Sequence, residues 1–266
     1  MTTLHTVFAK AKVDNRAALV GYLPAGFPTK AGAVEAAAAL VDAGCDVIEI
    51  GLPYSDPLMD GPTIQDAVHR SLVNGTRIAD VFRTVEGVAA TGAATLVMTY
   101  WNPVDRYGAE RFARDLASAG GVGTITPDLT PEESGPWRAA SSAAGIDTVF
   151  LVAPSSTEER IKAVVDCCTG FVYAASLMGV TGARESVNVA AEDLVARTRA
   201  HTELPVCVGL GVGTGAQAGE VARYADGVIV GSAFIRRLLD APDEAAGRAA
   251  AADLARDMAA GVRSRA

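Results

Sequence analysis

Apolar positions along this chain come in short continuous blocks rather than in strict alternation. Runs rich in Val, Ile, Ala and Phe recur at Ala18–Leu23, Asp46–Ile50, Ala94–Met98, Gly121–Thr126, Asp147–Ala153, Gly170–Ser176, Pro205–Gly209 and Asp226–Gly231. Continuous apolar runs of this length predict strands covered on both faces, as a parallel sheet requires. Stretches of helical period, such as RFARDLASAG and TEERIKAVVD, follow them. Eight strands, each with a helix after it, predict a single α/β domain over residues 1–266, a (β/α)8 TIM barrel. An open doubly wound sheet is the rival, but it needs a dinucleotide glycine turn after its first strand. Here that turn reads GYLPAGFP, with no G-x-G-x-x-G.

Three further helical patterns refine this plan. An amphipathic stretch at Leu4–Lys12 predicts an extra N-terminal helix. The gap between the second and third strands holds two helices, Thr63–Leu72 and Ile78–Ala89, so one of them is extra. The closing stretch EAAGRAAAADLARDMAAGVRS reads as the outer-ring helix after the last strand.

Composition narrows the function classes. With 266 residues, 50% hydrophobic and 20% charged, the chain can bury a barrel-sized core. A net charge of −8 argues against nucleic acid or an anionic membrane as the main partner, since both need clustered Lys and Arg. The first residues lack a basic start followed by an apolar run, and no segment reaches about eighteen uninterrupted apolar residues, so a cytoplasmic location is expected. Cys45, Cys167, Cys168 and Cys207 show no C-x-x-C spacing, and His5, His69 and His201 form no ligand pair. No metal site is expected.

The chemistry concentrates in DVIEIGLPYSDPLMDGPTIQD, Asp46 to Asp66. Alternation sets Glu49 among apolar neighbours at the end of the second strand, where a carboxylate is costly unless partnered or used. Asp60 follows in a loop, just before Gly61-Pro62 and a new helix. Each has a plain alternative: Glu49 as a capping or salt-bridged group, Asp60 as a turn or N-cap residue. Tyr173 in the sixth strand can equally be a core aromatic. In such barrels the active site lies at the carboxyl ends of the strands, with phosphate on the loops after strands seven and eight. VGLGVGTGAQA (Gly209, Gly211, Gly213 and Gly215) and Gly231-Ser232 at a helix start occupy those places, and Thr181-Gly182 follows strand six. Together they make a phosphate cradle of backbone N–H groups, although the glycines can also serve simple turns.

EIGLPYSDPLMDGPTIQ closely resembles the signature of the tryptophan synthase α subunit family. The resemblance continues through YWNPVDRYG (Tyr100–Gly108), PDLTPEE (Pro127–Glu133), MGVTG (Met178–Gly182), GLGV (Gly209–Val212) and VGSA (Val230–Ala233). It implies retro-aldol cleavage of indole-3-glycerol phosphate to indole and D-glyceraldehyde 3-phosphate. By the same resemblance Glu49 is the acid/base residue, Asp60 accepts the indole N–H, and Tyr173 stands beside the reacting centre. Gly182, Gly211, Gly231 and Ser232 would hold the phosphate, and Tyr22, Met98 and Ile125 would line the indole pocket. No cofactor is implied in this subunit. Pyridoxal phosphate is expected in a partner β subunit, within an α2β2 heterotetramer that passes indole on for tryptophan synthesis. Asp56–Asp60, Tyr100–Tyr107 and Asp128–Pro131 would form the contact surface.

One departure stands out. Where many members carry an arginine in S-R-A-G-V-T-G, this chain has Leu177 after Ser176, with Arg184 a few residues on. Loop closure over substrate would lack that cation. Two other readings are weighed: a stand-alone lyase that releases free indole, and a non-catalytic phosphate-ligand sensor or activating subunit. Joint retention of Glu49, Asp60 and Tyr173 speaks against the sensor.

Overall fold

The computed structural model describes residues 2–176, 184–209 and 211–264. Its strands are β1 (Ala18–Pro24), β2 (Val47–Gly51), β3 (Ala94–Met98), β4 (Gly123–Ile125), β5 (Asp147–Val149), β6 (Leu151–Val152), β7 (Val172–Ala175), β8 (Val206–Gly209) and β9 (Gly227–Val230). All are parallel within one sheet, in the order β5-β4-β3-β2-β1-β9-β8-β7-β6. The two ends of that order are halves of one chain segment, so the sheet curls round into a barrel.

The fifth predicted strand is therefore observed as two pieces broken at Phe150. Asp147–Val149 pairs with β4, and Leu151–Val152 pairs with β7. At the break the Phe150 N–H points to the Cys168 Sγ, 3.4 Å away, while its carbonyl accepts the Tyr173 N–H at 3.1 Å. Phe150 is thus where this segment changes neighbours, and an apolar pattern carries no trace of such a switch.

Among the described residues the helices are α1 (Leu4–Val13), α2 (Lys30–Asp42), α3 (Pro62–Val73), α4 (Ile78–Ala89), α5 (Trp101–Tyr107), α6 (Ala109–Ser118), α7 (Gly135–Ala144), α8 (Glu158–Val165), α9 (Arg184–Arg199), α10 (Gly215–Ala222), α11 (Ser232–Leu239) and α12 (Glu244–Arg263). Local chemistry starts several of them. Thr29, Thr157, Thr214 and Asp243 each accept a first-turn backbone N–H of the helix that follows. Gly44, with φ +112°, makes the left-handed exit after α2. The expected extra helices are present as α1 and as the α3/α4 pair. The short α11 intervenes between β9 and α12, and α12 then packs on α10, α11 and α2. No helix among the described residues is long and apolar enough to cross a membrane.

Two cores follow from strand alternation. The inward set, including Val20, Val47, Leu96, Ile125, Val149, Phe171, Cys207 and Ile229, fills the barrel. Helix α1 plugs its N-terminal end with Leu4, Val7, Phe8 and Ala11; the Phe8 ring meets Phe171 edge-on at 5.7 Å. The outward set packs against the helices around Leu40, Ile48, Val97, Phe112, Trp137 and Phe234. With one end plugged, the open end is the carboxyl-terminal rim of the strands.

Candidate active site

Glu49 lies inside the barrel at that rim. Its backbone pairs with Tyr22 on β1 and Leu96 on β3, and the residue is only 1% exposed. Both carboxyl oxygens are buried with no hydrogen-bond partner among the described residues. Among the described residues neither a cap nor a salt bridge takes up the carboxyl, which is held on a rigid strand. Loss of water, reinforced by the negative charge of Asp60, pushes its pKa up to about 8. The shift favours the protonated carboxyl, the form that can donate a proton.

The loop after β2 carries Asp60 toward Glu49. Its start is held by the Leu52 N–H on the Met98 carbonyl at 2.9 Å, and its end runs into α3 through Gly61 and Pro62. The N-cap of α3 is Gly61, and no side chain caps it, so Asp60 is not spent as a cap. Gln65 Nε2 donates to the Asp60 carbonyl at 2.7 Å, which leaves the carboxyl directed elsewhere. Burial raises the Asp60 pKa, and hydrogen bonding from the Tyr100 hydroxyl opposes that rise.

Two tyrosines complete the rim, each lying over a glycine of the next strand. A β-carbon at Gly51 would strike the Tyr22 hydroxyl, and one at Gly209 would strike the Tyr173 hydroxyl. These glycines therefore give the rings their space. Burial raises the pKa of both tyrosines well above the usual phenol value. Asp60 and then Glu49 add to this at Tyr22, and Glu49 adds to it at Tyr173. Tyr173 therefore lies close enough to Glu49 for the two charges to interact. Of the expected indole-pocket residues, Met98 is half-buried at the end of β3, while its register partner Ile125 at the end of β4 is fully buried. Tyr22 carries its hydroxyl among the carboxyl groups, so that side of the pocket is not purely apolar.

The glycine-rich stretch after β8 divides among different tasks. Gly209 accommodates Tyr173. The Gly213 N–H donates to Gln217 Oε1 at 2.8 Å, and the Gly215 N–H to Asp257 Oδ2 at 2.6 Å, so both are tied internally. Gly211 remains, exposed and left-handed with φ +71°. Across from it, Gly231 is the N-cap of α11 and Ser232 its first residue, with no side chain capping that terminus. Its first-turn N–H groups offer an anion-binding end. Gly182 and Leu177 lie outside the described residues.

Sequence reasoning passed over Tyr100 as a site residue and placed it only in the contact surface. Its hydroxyl accepts the Met59 N–H at 3.0 Å, beside Asp60. The only signal available was an aromatic directly after the third strand. Asp128, expected on the same surface, accepts the Trp101 N–H at 2.8 and 3.1 Å at the start of α5. Leu58 and Met59 are exposed apolar side chains at the tip of the β2–α3 loop.

Comparison with known proteins places this geometry. The family model described as tryptophan synthase alpha chain matches residues 8–263. The chain is 58% identical over 267 residues to the tryptophan synthase alpha chain of Thermobifida fusca, covering 99% of each. It is 60% identical over 264 residues to that of Streptomyces coelicolor, covering 99% of this chain and 97% of the relative. A chain in a structure of Mycobacterium tuberculosis tryptophan synthase superposes with a TM-score of 0.91 at 52% identity, covering 99% of both. Tryptophan synthase subunit alpha of Legionella pneumophila does so at 0.89 and 30% identity, covering 98% of both.

Proposed function

The chain belongs to the tryptophan synthase alpha chain family, and on that premise we propose that it cleaves indole-3-glycerol phosphate to indole and D-glyceraldehyde 3-phosphate. The observation that carries this reading is the buried Glu49 carboxyl, without a hydrogen-bond partner among the described residues and within electrostatic reach of Asp60 at the open rim. Protonated Glu49 donates to the indole ring carbon that bears the side chain. The positive charge that develops on the ring nitrogen is stabilised by the Asp60 carboxylate, which accepts the N–H. Glu49, now ionised, takes the proton of the adjacent side-chain hydroxyl. The carbon–carbon bond then breaks, its electron pair returns to the ring, and an aldehyde forms. Glu49 ends the cycle protonated, so one carboxyl serves as acid and then base with no net proton change. Tyr173 stands within electrostatic reach of the same carboxyl and has a supporting part beside the reacting centre.

The Gly211 backbone and the N-terminus of α11 at Gly231-Ser232 bind the phosphate, with Gly182 joining them. Tyr22 and Met98 border the indole, and Ile125 forms the floor below. The subunit works without a metal or cofactor of its own, in the cytoplasm. It pairs with a β subunit that holds pyridoxal phosphate and consumes the indole, in an α2β2 assembly. The exposed Leu58 and Met59 suit that contact. The test is indole release from indole-3-glycerol phosphate by the purified chain, with and without a β subunit. Glu49→Gln is expected to lower turnover by about 10²–10⁴-fold while phosphate-ligand binding stays within about twofold of wild type; unchanged turnover overturns the acid/base assignment.

A further inference from the structure

Tyr22 is the register partner of Glu49 on the neighbouring strand. Alternation gives it the inward parity of Val20, as it gives Glu49 that of Val47. Its ring leans along the rim between the strands on either side. A β-carbon at Gly231, where β9 meets α11, would lie 3.1 Å from Tyr22 Cδ1 and 3.4 Å from its Cβ, while one at Gly51 would strike the hydroxyl. The base of the ring is therefore at the α11 terminus, and its tip is at the end of β2, two residues past Glu49. Burial first, and then the nearby carboxyls, raise its pKa well above the usual phenol value, so the hydroxyl keeps its proton. Glu49 does not take that proton, since both its oxygens are without a partner among the described residues.

A substrate with its phosphate at α11 and its reacting carbon at Glu49 has to cross this ring, because in the order β2-β1-β9 only β1 stands between those two strands. The glyceryl chain that makes the crossing carries two hydroxyls. One gives its proton to Glu49. The other enters the same water-poor rim and needs a partner, since a buried hydroxyl left unpaired is costly. Met98 and Ile125 are apolar and offer none, whereas a phenol can both donate and accept. We propose that the Tyr22 hydroxyl pairs with this second hydroxyl, the one Glu49 does not use, and so selects a hydroxylated chain between indole and phosphate. This deepens the reading of the reaction given above and rests on it. Tyr22 is then a specificity-determining residue, with its ring beneath the chain and its oxygen on the chain's hydroxyl.

The experiment compares wild type with Tyr22→Phe, which removes one oxygen and keeps the ring; thermal melting confirms that the variant folds. Two ligands separate the effects. Indole-3-glycerol phosphate is followed by indole release, and indole-3-propanol phosphate, which keeps the indole and the phosphate but has no hydroxyl on the joining chain, is followed by isothermal calorimetry. Tyr22→Phe is expected to raise KM for indole-3-glycerol phosphate by about 3- to 10-fold with kcat within about twofold of wild type, as loss of a contact made equally in ground and transition states requires. Its affinity for indole-3-propanol phosphate should stay within about twofold of wild type. An unchanged KM, whatever happens to kcat, overturns the proposal. Equal weakening of both ligands also overturns it, because the hydroxyl would then serve only the shape of the pocket. If wild type itself releases no indole, the reading of the reaction fails and the proposal falls with it, a result separate from failure at Tyr22.

Discussion

Glu49 shows how far a single buried side chain can set behaviour with pH. Its pKa is raised from 4.5 to about 8 in the folded chain, so the native state holds the proton more tightly than the unfolded one. The sign follows directly: stability is greatest below the unfolded value and declines as pH rises from about 4.5 toward 8. A shift of this size corresponds to a cost on the order of 5 kcal/mol once both states are ionised. Glu49→Gln removes that cost. Its melting temperature is expected to match wild type near pH 5 and to exceed it near pH 9, by scanning calorimetry across pH; parallel curves would show that the carboxyl is not desolvated as the structure has it. Catalysis should carry the same signature. With Glu49 as the proposed acid, the free enzyme would need it protonated, so kcat/KM should fall as pH rises through about 8.

At the scale of elements, glycines that look alike in sequence separate by what surrounds them. Gly215 opens α10 against α12, where an added β-carbon would meet the backbone carbonyl and carboxylate of Asp257. Gly211 lies in the loop just before it, left-handed and exposed. Gly215→Ala is expected to destabilise the fold by about 1–3 kcal/mol in urea titration with substrate KM unchanged. Gly211→Asp should leave the urea midpoint nearly intact but weaken binding of glycerol phosphate by at least about tenfold, measured by isothermal calorimetry. The opposite pattern would return Gly215 to the phosphate site. The loop between β2 and α3 makes a related point. Its two ends are set by a strand and a helix, while its tip is held through the Met59 N–H by the phenol of Tyr100, which follows the next strand.

At the scale of the molecule, the two ends of the barrel do different work. The N-terminal end is plugged by α1, whose Leu4 is fully buried against the inward residues. The opposite rim carries Glu49, Asp60, Tyr173 and the helix N-terminus at Gly231. Leu4→Ala is expected to cost about 2–5 kcal/mol of stability by denaturant unfolding, while kcat per folded molecule remains that of wild type. A large loss of kcat at full folding would mean that the plug and the rim are coupled through the interior layers. Under the proposed reading, the division accounts for a phosphate ester substrate on a chain with net charge −8: backbone dipoles at one rim would meet the anion, and the overall charge would not need to be positive.

Strand order, the barrel, the extra helices and the two carboxyls of the Asp46–Asp66 stretch were legible in the sequence. Each rests on local information: apolar period, glycine and proline punctuation, and one long motif. Only the folded chain decided that Glu49 has no partner among the described residues, because that depends on what Leu96, Tyr22 and Tyr173 bring to it from other strands. The same holds for the glycines after β8, whose tasks are set by Tyr173, Gln217 and Asp257 arriving through space. The contact of Tyr100 with the β2–α3 loop was hidden for the same reason, since its hydroxyl meets Met59, some forty positions earlier in the chain. The break at Phe150 appears only when both neighbouring strands are in place. Period and composition specify which segments become strands and helices; hydrogen-bond partners and water exclusion arise from long-range packing, and these set the chemistry of the site.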